Sequence, residues 1–186
     1  MAGKHVCPWW VGYFLMNPLR RFAHNPGKIL APLVGKGTTV LELGPGMGFF
    51  TIELARLVGS EGKVIAVDIQ QRMLDAVRKR AAKAAVLDRI ELRLAGEDDF
   101  WANGLAGKVD FALAFYMLHE VPDISKILAH IRSTLVPGGT LLIAEPKMHV
   151  SAREYADTVA AAEKAGFAGI DHPMIRRSRS ILLEKS

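Results

Sequence analysis

The stretch Val40-Leu41-Glu42-Leu43-Gly44-Pro45-Gly46-Met47-Gly48 decides the reading of this chain. Val40, Leu41 and Leu43 form a short apolar strand that runs into glycines at alternate positions. Phe49, Phe50, Ile52, Leu54, Ala55 and Val58 follow with helical spacing, which predicts a helix over about 48–58. A strand that passes through glycines into a helix places bare backbone N–H groups at a helix N-terminus. Glycine permits both the tight turn and the close approach of a ligand. The dinucleotide fingerprint is G-x-G-x-x-G. Here the spacing is G-x-G-x-G, with Phe49 where the third glycine would fall. Glu42 stands two residues before the first glycine. A carboxylate there repels a diphosphate and attracts an ammonium or sulfonium. The plain alternative is a glycine-rich turn that holds nothing, and the residues on either side weigh against it.

Downstream, strands and helices alternate. Strand one covers about 39–43, and Val64–Val67 is a second apolar strand that ends at Asp68. An acid at the end of the second strand, about 20 residues beyond the glycine loop, is the usual acceptor for ribose hydroxyls. Its simpler reading is an acid at a helix N-terminus. Met73, Leu74, Val77, Ala81 and Ala84 give a helical stripe, with Arg72, Arg78, Lys79 and Arg80 as a solvated face. Ile90–Leu94 alternates apolar and charged residues, as a strand near a sheet edge does, and the acidic run Glu97-Asp98-Asp99 follows Gly96. Val109–Phe115 is almost continuously apolar, as in a strand buried on both faces. Ligands of open α/β sheets bind beyond the strand carboxyl ends, where the strand order reverses. This strand should neighbour strand one, which brings Tyr116 and His119 to that crevice.

Ile124, Ile127, Leu128, Ile131 and Leu135 predict an amphipathic helix stopped by Pro137-Gly138-Gly139, before a fifth strand over Thr140–Ala144. Ser151 and Glu154 form a capping-box pattern that opens a helix to about Ala165. Two late strands, Ala168–Ile175 and Ser180–Leu183, flank a basic turn at Arg176-Arg177-Ser178-Arg179.

The E-x-G-x-G-x-G pattern resembles motif I of the class I S-adenosylmethionine-dependent methyltransferases. The segments VDFALAFYMLHEVPD and LVPGGTLLIAEP are similar to later motifs of the small-molecule members. The resemblance covers about 36–186. It implies an α/β, Rossmann-like, seven-stranded, mostly parallel sheet with helices on both faces and a terminal antiparallel hairpin. It also implies that S-adenosyl-L-methionine is bound by Glu42, Leu43, Gly44, Pro45, Gly46, Gly48, Asp68, Ile69, Met73 and Phe115. In that picture Glu42 holds the amino-acid end, Asp68 the ribose, and Ile69 packs on adenine, whose amino group is read by Glu97 or Asp98. Transfer needs no protein nucleophile, because the cofactor carries the activated group and the protein positions and desolvates. His119 is the candidate general base, with Glu120 as a group that could orient it, and a packed wall residue is its plain alternative.

The 186 residues suit one methyltransferase domain over 36–186 preceded by an entry segment over 1–35. That segment crowds Pro8, Trp9, Trp10, Tyr13 and Phe14, and predicts short helices near 9–16, 18–24 and 26–33. It reads as an aromatic clamp on the sheet or a lid over the acceptor. Trp10, Tyr13, Tyr116 and Lys147 are candidate pocket residues; His24 and His149 are weaker ones. Residues 1–36 carry Lys4, Arg20, Arg21, Lys28 and Lys36 and no acid, which equals the whole net charge of +5. A basic arm of this kind contacts an anionic substrate or RNA, but no RNA-binding motif accompanies it. Cys7 is the only cysteine, so no internal disulfide or cysteine-cluster metal site is expected, and a reducing cytoplasm is the simplest home. No apolar run reaches the length of a membrane span, and no signal-peptide layout opens the chain. The expected activity is methyl transfer to an O, N or S atom of a small-molecule acceptor. The rivals are an RNA methyltransferase, a nicotinamide-dependent oxidoreductase and a non-enzymatic cofactor-binding partner. Oligomeric state is not legible.

Overall fold

A computed structural model describes residues 24–96 and 100–186. The predicted helices near 9–16 and 18–24, and with them Trp10 and Tyr13, lie outside the described residues, as do Glu97 and Asp98. In chain order the elements are α1 (Pro26–Leu30), β1 (Thr39–Leu43), α2 (Thr51–Val58), β2 (Lys63–Asp68), α3 (Gln71–Lys83) and β3 (Ile90–Leu94). They continue with β4 (Val109–Phe115), α4 (Ile124–Thr134), β5 (Leu135–Pro146), α5 (Ala152–Lys164), β6 (Phe167–Asp171) and β7 (Ser178–Lys185). Single 3-10 turns lie at Leu87–Arg89, Phe100–Ala102 and Leu118–Glu120.

The seven strands form one sheet in the order β3-β2-β1-β4-β5-β7-β6. The first five are mutually parallel, and β7 runs antiparallel to both β5 and β6. The order reverses between β1 and β4, so the crevice expected for a ligand opens beyond Leu43 and Phe115.

Strand alternation sorts the apolar residues into two cores. Val40, Val64, Ala66, Phe111, Leu113 and Leu142 face Leu30 of α1, Ile52, Leu54 and Val58 of α2, and Val77 of α3. Leu41, Leu43, Ile65, Val67, Ala112, Ala114, Leu141 and Ile143 face Leu128 and Ile131 of α4 and Ala162 of α5. A strand clad on both faces has to be apolar throughout, which is why β4 reads as a near-continuous hydrophobic run. Glu42 and Asp68 share the parity of Val40, Val64 and Ala66, and so point to the α2–α3 side.

Several boundaries depart from the sequence reading. The first long helix begins at Thr51, not near 48. Gly44, Gly46 and Gly48 all adopt positive φ, which breaks helical geometry until the bend is complete. β5 starts at Leu135, immediately after α4, and pairs with Val109 before residues 136–139 bulge out; pairing resumes at Phe111↔Thr140. Pro137-Gly138-Gly139 therefore shapes a bulge in a strand. β6 ends at Asp171, and β7 already includes Ser178 and Arg179, because β5 extends to Pro146 and offers them backbone partners. Long-range pairing overrides the local turn preference of that basic stretch. The capping box at Ser151 and Glu154 is formed as expected.

Candidate active site

The carboxyl ends of β1, β2, β4 and β5 converge on the switch point, and each delivers chemistry from its last residues. β1 ends in the glycine bend. Gly44 has φ +65°, and a Cβ built there would stand 3.0 Å from Met117 Cβ, so a side chain is excluded by conformation and by contact. Gly46 has φ +53° with open space where a side chain would grow. The Gly44 N–H donates to Val67 O at 2.9 Å, and the Gly48 N–H closes the bend on Pro45 O at 2.9 Å.

Glu42 is only 3% exposed, and its Oε2 is buried with no hydrogen-bond partner among the described residues. Burial pushes its carboxyl up to about 7, Asp68 raises it further, and the Thr51 hydroxyl opposes the shift. That hydroxyl does not complete a normal hydrogen bond, since Thr51 Oγ1 is itself buried and unpartnered. Asp68, at the end of β2, is pushed up to about 6, first by burial; backbone N–H groups of Gln70, Gly46 and Ile69 counter the shift, and Glu120 adds to it. The Gln70 N–H reaches Asp68 Oδ1 at 2.9 Å. Two carboxyls with raised affinity for protons, one with an orphaned oxygen, form a niche for a cation or for hydroxyl donors. Beside them Ile69 is 56% exposed and Leu94 51%, and Leu94 is the register partner of Asp68. Exposed apolar side chains flanking a buried acid suit a flat, partly apolar ring. This donor set fits a cationic nucleoside better than a pyrophosphate.

The remaining expected cofactor residues fall around the same bend in different ways. Pro45, Gly46 and Gly48 lie in the turn itself. Leu43 and Met73 are buried in the fold, so their side chains serve packing. Phe115 is also buried, stacked at 4.4 Å from Phe50 and 4.5 Å from Tyr116.

The other side of the switch point is built from the ends of β4 and β5. Tyr116 sits at φ +62°, an unusual backbone state for a bulky residue, with its N–H bonded to Ala144 O at 2.8 Å. Its hydroxyl lies 3.0 Å from His24 Nε2 and 2.7 Å from Ser178 Oγ, which ties the end of β4 to the start of β7 and to the head of α1. Lys147 is exposed just beyond β5, with its backbone N–H on Arg177 O. His149 is likewise exposed.

His119 lies in the 3-10 turn after β4. Its Nδ1 is 2.6 Å from Oε2 of Glu145, which is 1% exposed at the end of β5. Glu145 Oε1 accepts the Leu118 N–H at 3.0 Å. Glu120, which the sequence left either to orient His119 or to face solvent, is 3.9 Å from His119 Nε2, beyond hydrogen-bond reach. The carboxylate that reaches the imidazole is Glu145, which the sequence reading did not single out; nor did it single out the exposed Leu94 beside Asp68. An acid inside the apolar run LLIAEP was the available signal for Glu145, because a buried carboxylate must find a partner. Among the described residues no group of three or more His, Cys, Asp or Glu could hold a metal ion.

A doubly wound sheet, an acid-flanked glycine bend and a second acid closing the neighbouring strand define a class I S-adenosylmethionine-dependent methyltransferase. The comparisons agree. A model of the methyltransferase-domain family matches residues 35–177, and the chain belongs to that family, with S-adenosylmethionine as cofactor. It is similar to the ubiquinone/menaquinone biosynthesis C-methyltransferase UbiE of Escherichia coli K12, 34% identical over 139 residues, or 72% of this chain and 54% of that protein. The UbiE of a Marinomonas species is 34% identical over 60% of this chain and 44% of its own. The chain thus spans about half the length of the curated relatives it matches. Among solved structures, a SAM-dependent methyltransferase from Aquifex aeolicus superposes with a TM-score of 0.87 at 22% identity, covering 97% of this chain and 100% of that one. The [4+2]-cyclase SpnF superposes with a TM-score of 0.70 at 14% identity, covering 89% and 80%. At such identities these neighbours speak for the fold alone.

Proposed function

We propose that this methyltransferase acts on a small molecule with an ionisable hydroxyl, such as a phenol or enol, and that His119 takes up the proton. The observation that carries the reading is the imidazole of His119, held at the carboxyl edge by buried Glu145. Glu120, next in the chain, is close enough to Asp68 to raise its affinity for a proton, so this turn faces the acidic niche. The names of the UbiE relatives specify a carbon acceptor, and deprotonating a phenol or enol makes its ring or α carbon nucleophilic as well as its oxygen. That chemistry favours carbon as the methylated atom over the nitrogen or sulfur expected among the alternatives from sequence.

S-Adenosylmethionine, when bound, would supply an activated, electrophilic methyl group. The chain's own residues do the rest. Glu42 meets the positive charge, Asp68 accepts the ribose hydroxyls, and Ile69 and Leu94 shelter the base. Gly44, Pro45 and Gly46 let the backbone approach the methionine portion, and Met73, Leu43 and Phe115 support the bend from behind. Tyr116 and Lys147 border the acceptor side. His119 Nε2 accepts the proton that makes the acceptor nucleophilic.

The test is transfer of a labelled methyl group to a panel of phenols, naphthols, hydroquinones, amines and thiols, with NMR separating C–CH3 from O–CH3 products. Turnover confined to hydroxylated rings, reduced about 10²- to 10⁴-fold in His119→Ala with cofactor affinity kept, is the expected result. Turnover on amines or thiols alone, or unchanged turnover in His119→Ala, overturns the reading. A panel left unmethylated while calorimetry shows tight cofactor binding would favour a non-enzymatic binding protein.

A further inference from the structure

Glu145 is 1% exposed, the most deeply buried acid among the described residues. It occupies the last turn-facing position of β5 and lies in register with Arg179 of β7. Both of its oxygens are committed to the segment after β4: Oε1 to the Leu118 N–H and Oε2 to His119 Nδ1. Arg179 does not neutralise it by a direct ion pair, since its Nη1 donates to Val150 O at 2.8 Å. Tyr155 of α5 stands close enough for the Glu145 charge to add to the burial that pushes its phenol up to about 12, and its hydroxyl is buried with no partner. The surroundings therefore leave His119 as the side chain that satisfies Oε2.

We infer that Glu145 is a positioning residue that fixes the tautomer and ring orientation of His119. An ionised carboxylate can only accept, so the neutral imidazole must carry its proton on Nδ1. Nε2 is then the basic nitrogen, 3.9 Å from Glu120 Oε1. Because Oε1 also pins the Leu118 amide, the ring and the turn that carries it are registered against the same rigid strand. A sequence neighbour such as Glu120, which moves with the turn, cannot supply that reference. This inference rests on the base role proposed for His119 but concerns a separate property, the protonated nitrogen.

The discriminating substitution is Glu145→Gln. Its amide oxygen still accepts the Leu118 N–H, so the turn keeps its anchor. Its NH2 then faces Nδ1 and requires that nitrogen to accept, which moves the imidazole proton to Nε2. Nitrogen-15 NMR of the full-length protein with labelled histidine, above neutral pH, reads this directly. The expected result is a pyrrole-type Nδ1 and pyridine-type Nε2 for His119 in the wild type, exchanged in Glu145→Gln and unchanged in Glu120→Gln. An unchanged tautomer in Glu145→Gln, or an exchange in Glu120→Gln, overturns the inference. Thermal unfolding of each variant checks that the fold persists; should Glu145→Gln unfold, a wild-type His119 with its proton on Nε2 overturns the inference by itself, and one with its proton on Nδ1 supports it. These outcomes are distinct from the failure of the base role, which appears as undiminished turnover in His119→Ala.

Discussion

The two halves of the carboxyl edge treat buried polar groups in opposite ways. On the β1–β2 side, Glu42 and Thr51 keep oxygens that no group among the described residues satisfies, and both Glu42 and Asp68 hold protons more tightly than usual. On the β4–β5 side, Glu145 is satisfied at both oxygens and the Tyr116 hydroxyl has partners in His24 and Ser178. In the proposed reading the first half is completed by a charged, hydroxyl-bearing ligand. The second is preorganised. The difference teaches where the fold gives up stability for binding: an unpartnered buried carboxylate costs stability in the free protein and regains it when a cation arrives.

The largest expected effect breaks the incomplete half. Glu42→Gln should weaken S-adenosylmethionine binding about 100-fold, as expected when a buried charge contact is lost. The same change should stabilise the ligand-free protein near pH 8, by up to about 3 kcal/mol if the whole shift of the carboxyl is relieved. Calorimetric titration and thermal unfolding measure the two; a variant that loses affinity and stability together would contradict the contrast.

The next effect is a pH dependence with a definite sign. Glu42 is raised from 4.5 to about 7 and Asp68 from 3.8 to about 6. The unfolded chain therefore ionises these acids first. Their contribution to stability is fully present below about pH 4, declines as pH rises through the window to about 7, and is gone above it. Cofactor affinity runs the other way, because ionised Glu42 meets the cation, and should strengthen about 10- to 30-fold between pH 5.5 and 8. Isothermal titrations at several pH values, with unfolding midpoints at the same values, sharpen the comparison; parallel trends would defeat it.

Gly44→Ala should cost about 1–3 kcal/mol, since alanine at positive φ is strained and its Cβ presses on Met117. It should injure both halves, because this contact joins the glycine bend to the segment that carries His119. Smallest is Tyr116→Phe, which removes the hydroxyl shared with His24 and Ser178 and should cost about 1 kcal/mol of stability with cofactor affinity unchanged. Chemical denaturation reads both, and a Tyr116→Phe variant with weakened cofactor binding would show that the halves are coupled through this residue.

Much of this was legible in the residues. The glycine bend, the acid two residues before it and the acid closing the second strand lie within one βα unit, where local chain geometry forces them to meet. The strand parity that aims Glu42 and Asp68 to the same side follows from period-two alternation. The early start of β5 and the long β7 were not legible, since both depend on partners tens of residues away that outweigh local turn chemistry.

The sequence by itself determined the alternation of strands and helices and the cofactor class, and it singled out Glu42 and Asp68, because those signals are short-range and carried by residue type and spacing. Only the tertiary structure decided which acid holds His119. Glu120 is next in the chain, but the hydrogen bond belongs to Glu145, 26 residues away on the adjacent strand. Parallel pairing of β4 with β5 brings their carboxyl ends together, and burial then obliges the carboxylate to find its partners in the turn after β4.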